Sequence, residues 1–298
     1  MKVAPLTSPR IALIGLGAMG FPMARRLAAA ALDVVVYDAS DTVRARGPAA
    51  GLNVADSAGT ASSNADVVVL MLPNSDVVDA VAQELLDTTS LRVGTLVIDM
   101  SSSEPLRTRA LAARLAERGV AMLDAPVSGG VKGATAGTLT VMVGGPDDLV
   151  AEFRPLLEHF GQVVHAGAIG SGHAVKALNN LLSATHLLVT SEAMMVAQAF
   201  GLDPEVTLSI FNTSSGRSGS TENKWPNFIV PGTFNSGFAL RLMLKDMKIA
   251  VDLATQFGVD ATLGHDTMVL WSRAADALEP GADHTEIARW LYEGGEHE

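Results

Sequence analysis

The stretch Arg10–Ala24, RIALIGLGAMGFPMA, sets four apolar residues, Ile11–Ile14, directly before three glycines, Gly15, Gly17 and Gly20. Glycine weakens regular structure, so its concentration at the end of an apolar run needs a physical reason. A strand that turns sharply into a helix supplies one. Gly15 permits the tight turn, Gly17 presents no side chain to a group approaching the loop, and Gly20 lets helix and strand pack closely. The free amides and positive end of the new helix suit phosphate oxygens. The next apolar run, DVVVYD, closes on Asp38, 18 residues past Gly20. A carboxylate at that place holds ribose hydroxyls in dinucleotide folds. Two signals in their expected places make Gly15, Leu16, Gly17, Ala18, Met19 and Gly20 a dinucleotide cradle rather than a plain glycine turn. Asp38 would repel a 2′-phosphate, and Ala39 and Ser40 follow it, with Arg44 and Arg46 only further on. NAD is therefore expected over NADP.

The first half of the chain alternates. Apolar runs at Ile11–Ile14, Val34–Tyr37, Val67–Leu72, Leu96–Asp99 and Ala121–Leu123 read as buried strands, with helical segments at Ala18–Ala30, Ser75–Leu86 and Glu104–Arg118. That rhythm predicts an α/β fold of Rossmann type, a doubly wound parallel sheet covered on both faces. GTLTVMVGG and GQVVHAG add two strands around a helix at Leu149–His159. From about Gly170 strand signals nearly vanish. Ala174–Gly201 reads as one helix of about 28 residues, roughly 42 Å long. The expected division is residues 1–168, a dinucleotide-binding domain, and 169–298, an all-helical domain. NTSSGRSGSTENKWP and LEPGADHT are expected as loops, and EGGEHE as a frayed tail.

Composition narrows the function. A length of 298 residues suits two domains, and 48% hydrophobic with 18% charged residues supplies ample core. A net charge of −11 argues against nucleic acid or an anionic membrane as partner. The absence of cysteine excludes disulfides, thiolate nucleophiles and thiolate zinc sites. His159, His165, His186, His265, His284 and His297 show no ligand spacing, so no metal is expected. MKVAPLTSPR has no apolar run of the kind a secretory signal needs. The apolar window Leu178–Phe200 carries Asn179, Asn180, His186 and Glu192, too polar for a span. A cytoplasmic protein is expected. The helix from Leu181 to Phe200 is apolar on most faces, as in a helix buried in a core or between subunits, and predicts a homodimer or homotetramer.

Two later blocks bring chemistry. In LDAPVSGGVKGATAGTLTVMVGG, Ser128, Gly129 and Gly130 follow a strand and suit a small anion-binding concavity, although a mobile connecting loop is an equal reading. In GSGHAVKALNN, Lys176 and Asn180 share a helix face, with Asn179 beside them. Lysine is rarely buried without a task, though a snorkelling lysine at a helix start remains the alternative. His173 lies near the same face and is set aside, because the lysine pattern accounts for the stretch without it. Arg217 is read as a solvated loop charge in preference to a substrate contact, and Asp246 and Lys248 as the solvated face of their helix.

Together GLGAMG, DAPVSGG…GA…GTL…MVGG, GSGHAVKALNN and LMLKDMKIA resemble, in order and over nearly the whole chain, the β-hydroxyacid dehydrogenases. That family includes 3-hydroxyisobutyrate dehydrogenase and tartronate semialdehyde reductase. The resemblance implies a Rossmann domain, a helical domain joined by the long helix, and a cleft between them. It implies hydride transfer between a nicotinamide cofactor and a small β-hydroxy acid or the matching semialdehyde, with Lys176 as general acid and base. Ser128, Gly129 and Gly130 then hold the substrate carboxylate with Asn180. Asn179 or Asn180 orients the reacting groups. Leu72, Pro73 and Ser102 contact the cofactor from two strand ends, and Lys245 approaches it from the helical domain. A lysine near its free pKa of about 10.4 is a poor base at neutral pH, so burial and neighbours must lower it. Rival readings are an imine reductase, whose relatives usually replace the lysine, and a sugar-acid phosphate decarboxylating dehydrogenase, whose helical domain is much larger. A non-catalytic dinucleotide sensor is the rival from another class.

Overall fold

The computed structural model describes residues 9–88 and 90–295. The expectations for the first eight residues, the last three residues of the EGGEHE tail and His297 lie outside the described residues. The chain divides into two compact units between Lys176 and Ala177.

The N-terminal unit runs β1 (Ile11–Ile14), α1 (Gly20–Ala29), β2 (Val34–Tyr37), α2 (Asp41–Arg44), β3 (Asn53–Val54), α3 (Ala58–Ser62), β4 (Val67–Leu70) and α4 (Ser75–Asp87). It continues with β5 (Leu96–Asp99), α5 (Pro105–Ala116), β6 (Ala121–Asp124), β7 (Val127–Ser128), α6 (Gly130–Ala136), β8 (Leu139–Gly144), α7 (Asp147–Leu157) and β9 (Gly161–Gly167). One sheet holds them in the order β3-β2-β1-β4-β5-β6-β8-β7, with β9 beside β8. The first six strands are parallel, and β8 returns antiparallel to β6. Strand order reverses between β1 and β4, the switch point at which open α/β sheets bind ligands beyond the carboxyl ends of their strands.

The continuous apolar runs have a direct cause. Val67 and Val69 of β4 enter one core layer, with Met23 and Leu27 of α1. Val68 and Leu70 enter the other, with Val78 of α4 and Leu111 of α5. Both faces of the strand are therefore covered, and period-two alternation is lost from the sequence.

The helical part begins with α8 (Ser171–Phe200), whose first residues belong to the N-terminal unit. It is longer at its start than the sequence reading, which began it at Ala174. α9 (Pro204–Asn212), α10 (Leu240–Gln256), α11 (Thr262–Ala277) and α12 (Glu286–Tyr292) follow. Trp225, Trp271 and Trp290 lie in their core with Leu187, Met243 and Met247. The loop expected over NTSSGRSGSTENKWP is corrected in part: Ser220–Ile229 forms a π-helix. Its polar composition reads as loop, but Trp225 and Ile229 are buried and anchor the turn, and Val230 N–H donates to the Trp225 carbonyl five residues back at 2.9 Å. Among the described residues of this unit the one β-pairing is an isolated bridge, Ala239 with Asp283. No helix of the described residues is long and apolar enough to cross a membrane.

Candidate active site

Where β1 ends, Gly15 takes φ +100° and donates its N–H to the Tyr37 carbonyl at 2.8 Å. A Cβ there would collide with the Met71 carbonyl, and one on Gly20 would collide with the Gly15 carbonyl. Both glycines are required by the protein's own packing. Gly17 is different: a Cβ on it would meet open space, so nothing in the chain itself demands glycine there. Among the described residues the amides of Gly17, Ala18 and Met19, just ahead of α1, have no acceptor. These are features that a phosphate group fits.

Asp38 stands just past β2. One of its carboxylate oxygens accepts the Leu16 N–H at 2.7 Å and the other the Ser40 N–H at 2.8 Å, so it is locked beside the glycine loop. Each oxygen keeps a lone pair for a ribose hydroxyl. Arg44 is engaged nearby, stacked 5.3 Å over the Tyr37 ring and bonded to Asp41 and to the Asp38 carbonyl. Arg46 lies 4.5 Å over the Phe21 ring.

Leu72 and Pro73 leave the end of β4, and Leu72 N–H donates to the Ser101 hydroxyl at 2.9 Å. Ser102 is the next residue along the loop that leaves β5. Ser128 closes β7 opposite Thr140 of β8. Gly129 and Gly130 follow with φ of +128° and +62°, in the left-handed region that favours glycine.

Lys176 is 9% exposed and Asn180 5%, whereas Asn179 is exposed. All three are on α8, where a spacing of four places Lys176 and Asn180 on one face. Asn180 Nδ2 donates to Asp246 Oδ2 at 2.6 Å, and its Oδ1 accepts from Asn179 Nδ2 at 3.2 Å. Lys245 Nζ pairs with Asp246 Oδ1 at 3.1 Å. The expectation that Asp246 lies on a solvated helix face is overturned: it is 1% exposed and orients the Asn180 amide. Lys248 is exposed, as its reading required, and so is Arg217, which pairs with Glu222 at 2.7 Å.

Sequence reasoning also missed a buried polar group in the N-terminal unit. His173, Asp99, Asp124, Ser101, Ser103 and Thr108 are all enclosed. The signal was present in Asp99 and Asp124, carboxylates that close otherwise apolar strands. Among the described residues no group of three or more acidic or histidine side chains is arranged to hold a metal.

Two family models match the chain. The NAD-binding domain of 6-phosphogluconate dehydrogenase covers residues 10–170, and the NAD-binding domain of NADP-dependent 3-hydroxyisobutyrate dehydrogenase covers 170–291. Fold and glycine loop thus define an NAD-binding oxidoreductase of the Rossmann class. The chain is 40% identical to an NAD-dependent L-serine dehydrogenase of Pseudomonas aeruginosa, over 88% of its length and 91% of the relative's. It is 37% identical to a 2-(hydroxymethyl)glutarate dehydrogenase of Eubacterium barkeri, over 85% and 84%. A solved 3-hydroxyisobutyrate dehydrogenase of Mycobacterium tuberculosis, with L-serine, superposes with a TM-score of 0.90 at 33% identity, covering 96% of this chain and 99% of that one. The chain belongs to the β-hydroxyacid dehydrogenase family and is an NAD-binding oxidoreductase. An imine reductase of Myxococcus stipitatus, 18% identical with a TM-score of 0.65, shares the fold alone.

Proposed function

We propose that this enzyme oxidises a small β-hydroxy acid, with Lys176 taking the hydroxyl proton and returning it in the reverse direction. The observation that carries the reading is a lysine 9% exposed, one helical turn before an asparagine whose amide a buried aspartate orients. NAD supplies the hydride acceptor when bound. The amides opening α1 receive its phosphates, Asp38 holds its adenosine ribose, and Leu72, Pro73, Ser102 and Lys245 complete its contacts. Ser128, Gly129 and Gly130 receive the substrate carboxylate, with Asn180. Asn180 has one amide hydrogen committed to Asp246 and a second to offer, and Asn179 braces its oxygen. Support for the substrate class comes from relatives named for L-serine and 2-(hydroxymethyl)glutarate, both of which carry a hydroxyl β to a carboxylate. The division of labour is dinucleotide binding by residues 1–168 and completion of the substrate site by 169–298. A cytoplasmic location goes with this reading, because the reaction draws on a pool of NAD.

The test is turnover of 3-hydroxyisobutyrate, L-serine, glycerate and threonate with NAD by the wild type, Lys176→Ala and Lys176→Arg. Alanine should lower kcat by roughly 10²–10⁴-fold, the share of a positioned acid or base. Arginine keeps the charge but holds its proton, and should be nearly as inactive. NAD affinity should stay near wild type in both. A fully active Lys176→Arg removes the lysine from the mechanism.

A further inference from the structure

His173 stands in the first turn of α8, three residues before Lys176, and the proposed reaction makes no use of it. It is buried, and each of its polar atoms is engaged. Nε2 lies 3.1 Å from the Ser101 carbonyl, which can only accept, so Nε2 carries a hydrogen and donates it. Nδ1 faces the Thr108 hydroxyl of α5 at 2.8 Å. The backbone N–H donates to Asp124 Oδ2 at 2.8 Å, and the other oxygen of that carboxylate accepts from Gly170 N–H at 2.7 Å. Asp99 and Asp124, partners across β5 and β6, bring carboxylate oxygens to 3.7 Å and 3.9 Å from the two ring nitrogens. Asp99 is satisfied in turn by Ser101 N–H at 2.9 Å and the Ser103 hydroxyl at 2.7 Å.

These bonds form one continuous series. It starts at Leu72, beyond β4, whose N–H reaches the Ser101 hydroxyl, and passes through the Ser101 carbonyl into the His173 ring. It ends on the backbone of the turn that leads to Lys176. That turn is pressed against the sheet, since a Cβ on Gly172 would collide with the Met142 carbonyl and crowd the Asp124 carboxylate. A histidine that merely filled space would not need to tie a helix start to the loop that leaves β5 and to α5 at once. On a helix, the direction of a side chain three residues on is set by the rotation of the turn before it.

We propose that His173 is a positioning residue for the reaction. It fixes the rotation of the first turn of α8 against the loops that leave β4 and β5, so that the Lys176 amine and the loops bearing Leu72 and Ser102 keep one geometry. The inference rests on the reading of Lys176 as the proton-transfer group. A misplacement of about 1 Å in such a group costs up to about 100-fold in rate.

Four variants of the full chain test it, with NAD and whichever of the four hydroxy acids the wild type turns over fastest. They are His173→Phe, His173→Gln, Thr108→Val and, as reference, Lys176→Ala. In His173→Phe kcat should fall about 10- to 100-fold while both KM values stay within about threefold. The solvent deuterium isotope effect on kcat should rise, because proton transfer becomes limiting. Glutamine offers an N–H to the Ser101 carbonyl and an oxygen to the Thr108 hydroxyl, and should restore kcat to within about threefold. Thr108→Val keeps the shape, loses the hydroxyl and should show a smaller fall with the same isotope signature; it decides the matter if His173→Phe does not fold. A loss of melting temperature with kcat per folded molecule unchanged makes His173 structural and overturns the proposal. So does a fall in His173→Phe that glutamine leaves unrepaired. Turnover retained by Lys176→Ala strikes the lysine reading itself and the present inference with it. An inactive Lys176→Ala beside fully active His173→Phe and Thr108→Val strikes only the inference about His173.

Discussion

The three glycines of the β1–α1 loop serve different masters, and substitution separates them. At Gly20 a Cβ would collide with the Gly15 carbonyl, so Gly20→Ala should destabilise the N-terminal unit by about 1–3 kcal/mol, the scale of overpacking in a tight site. At Gly17 the Cβ would meet open space, so Gly17→Ala should melt like wild type yet bind NAD more weakly. Thermal melting beside NAD titration checks the pair, and equal melting of both variants contradicts the argument. Asp38→Ala should narrow the preference for NAD over NADP, read from the two dissociation constants. It removes the charge that repels a 2′-phosphate and leaves Arg44 close by. Asp246→Ala frees the Asn180 amide to rotate and should raise KM for the hydroxy acid several-fold, while NAD binding changes less.

Among elements, the loop before α10 and the loop before α12 are stapled by Asp283. Its carboxylate accepts the Ser236 hydroxyl and Gly237 N–H at 2.8 Å, and the Thr285 hydroxyl at 2.6 Å. Burial works to raise the Asp283 carboxyl, but the hydrogen bonds from Thr285 and Ser236 outweigh it and hold the group below its usual range. His284 next to it is pushed down to about 4, chiefly by burial and further by the Lys224 cation on the π-helix. Lys224 is itself lowered by burial. The unfolded chain takes up a proton at His284 below its ordinary value of 6.5, whereas the folded chain resists until about 4. Stability at this site is therefore complete above pH 6.5 and is lost as pH falls towards 4, by on the order of 3 kcal/mol. Asp283 adds a loss at still lower pH. The melting temperature should drop across that window, and His284→Gln should flatten the drop. An unchanged slope in the variant would rule His284 out as its source.

For the whole molecule, the open question is what covers α8. Ala184, Leu187, Leu188 and Met194 enter the core of the helical unit, but a second apolar row does not. Leu182, Val189 and Val196 recur every seven residues and are 59%, 54% and 70% exposed, and Phe200 at the helix end is 82% exposed. A row at that spacing is the pattern of a helix that meets another helix. The enzyme is therefore expected to be at least a dimer through this face. Sedimentation should find a species heavier than the 31.0 kDa chain at micromolar concentration. Val196→Glu should shift it towards monomer; a wild-type monomer contradicts the expectation.

The local chemistry of the chain was enough to reveal the alternating strands and helices, the glycine turn and the long helix. Each is encoded in neighbouring residues: apolar runs of four, glycines at a turn, and an unbroken helical stretch of about 28 residues without proline. The doubly wound sheet follows, because parallel strands buried on both faces leave few other topologies. Tertiary structure alone decided the rest. Ser220–Ile229 has the composition of a loop, and became helical because Trp225 found a core to enter. Asp246 reads as one more charge on a helix until Asn180, 66 positions away in sequence, is placed against it. His173 reads as dispensable until Ser101, 72 positions away, and Thr108, 65 away, close around its ring. Hydrogen bonds between buried polar groups depend on which distant residues meet, and no periodicity within a single segment records that meeting.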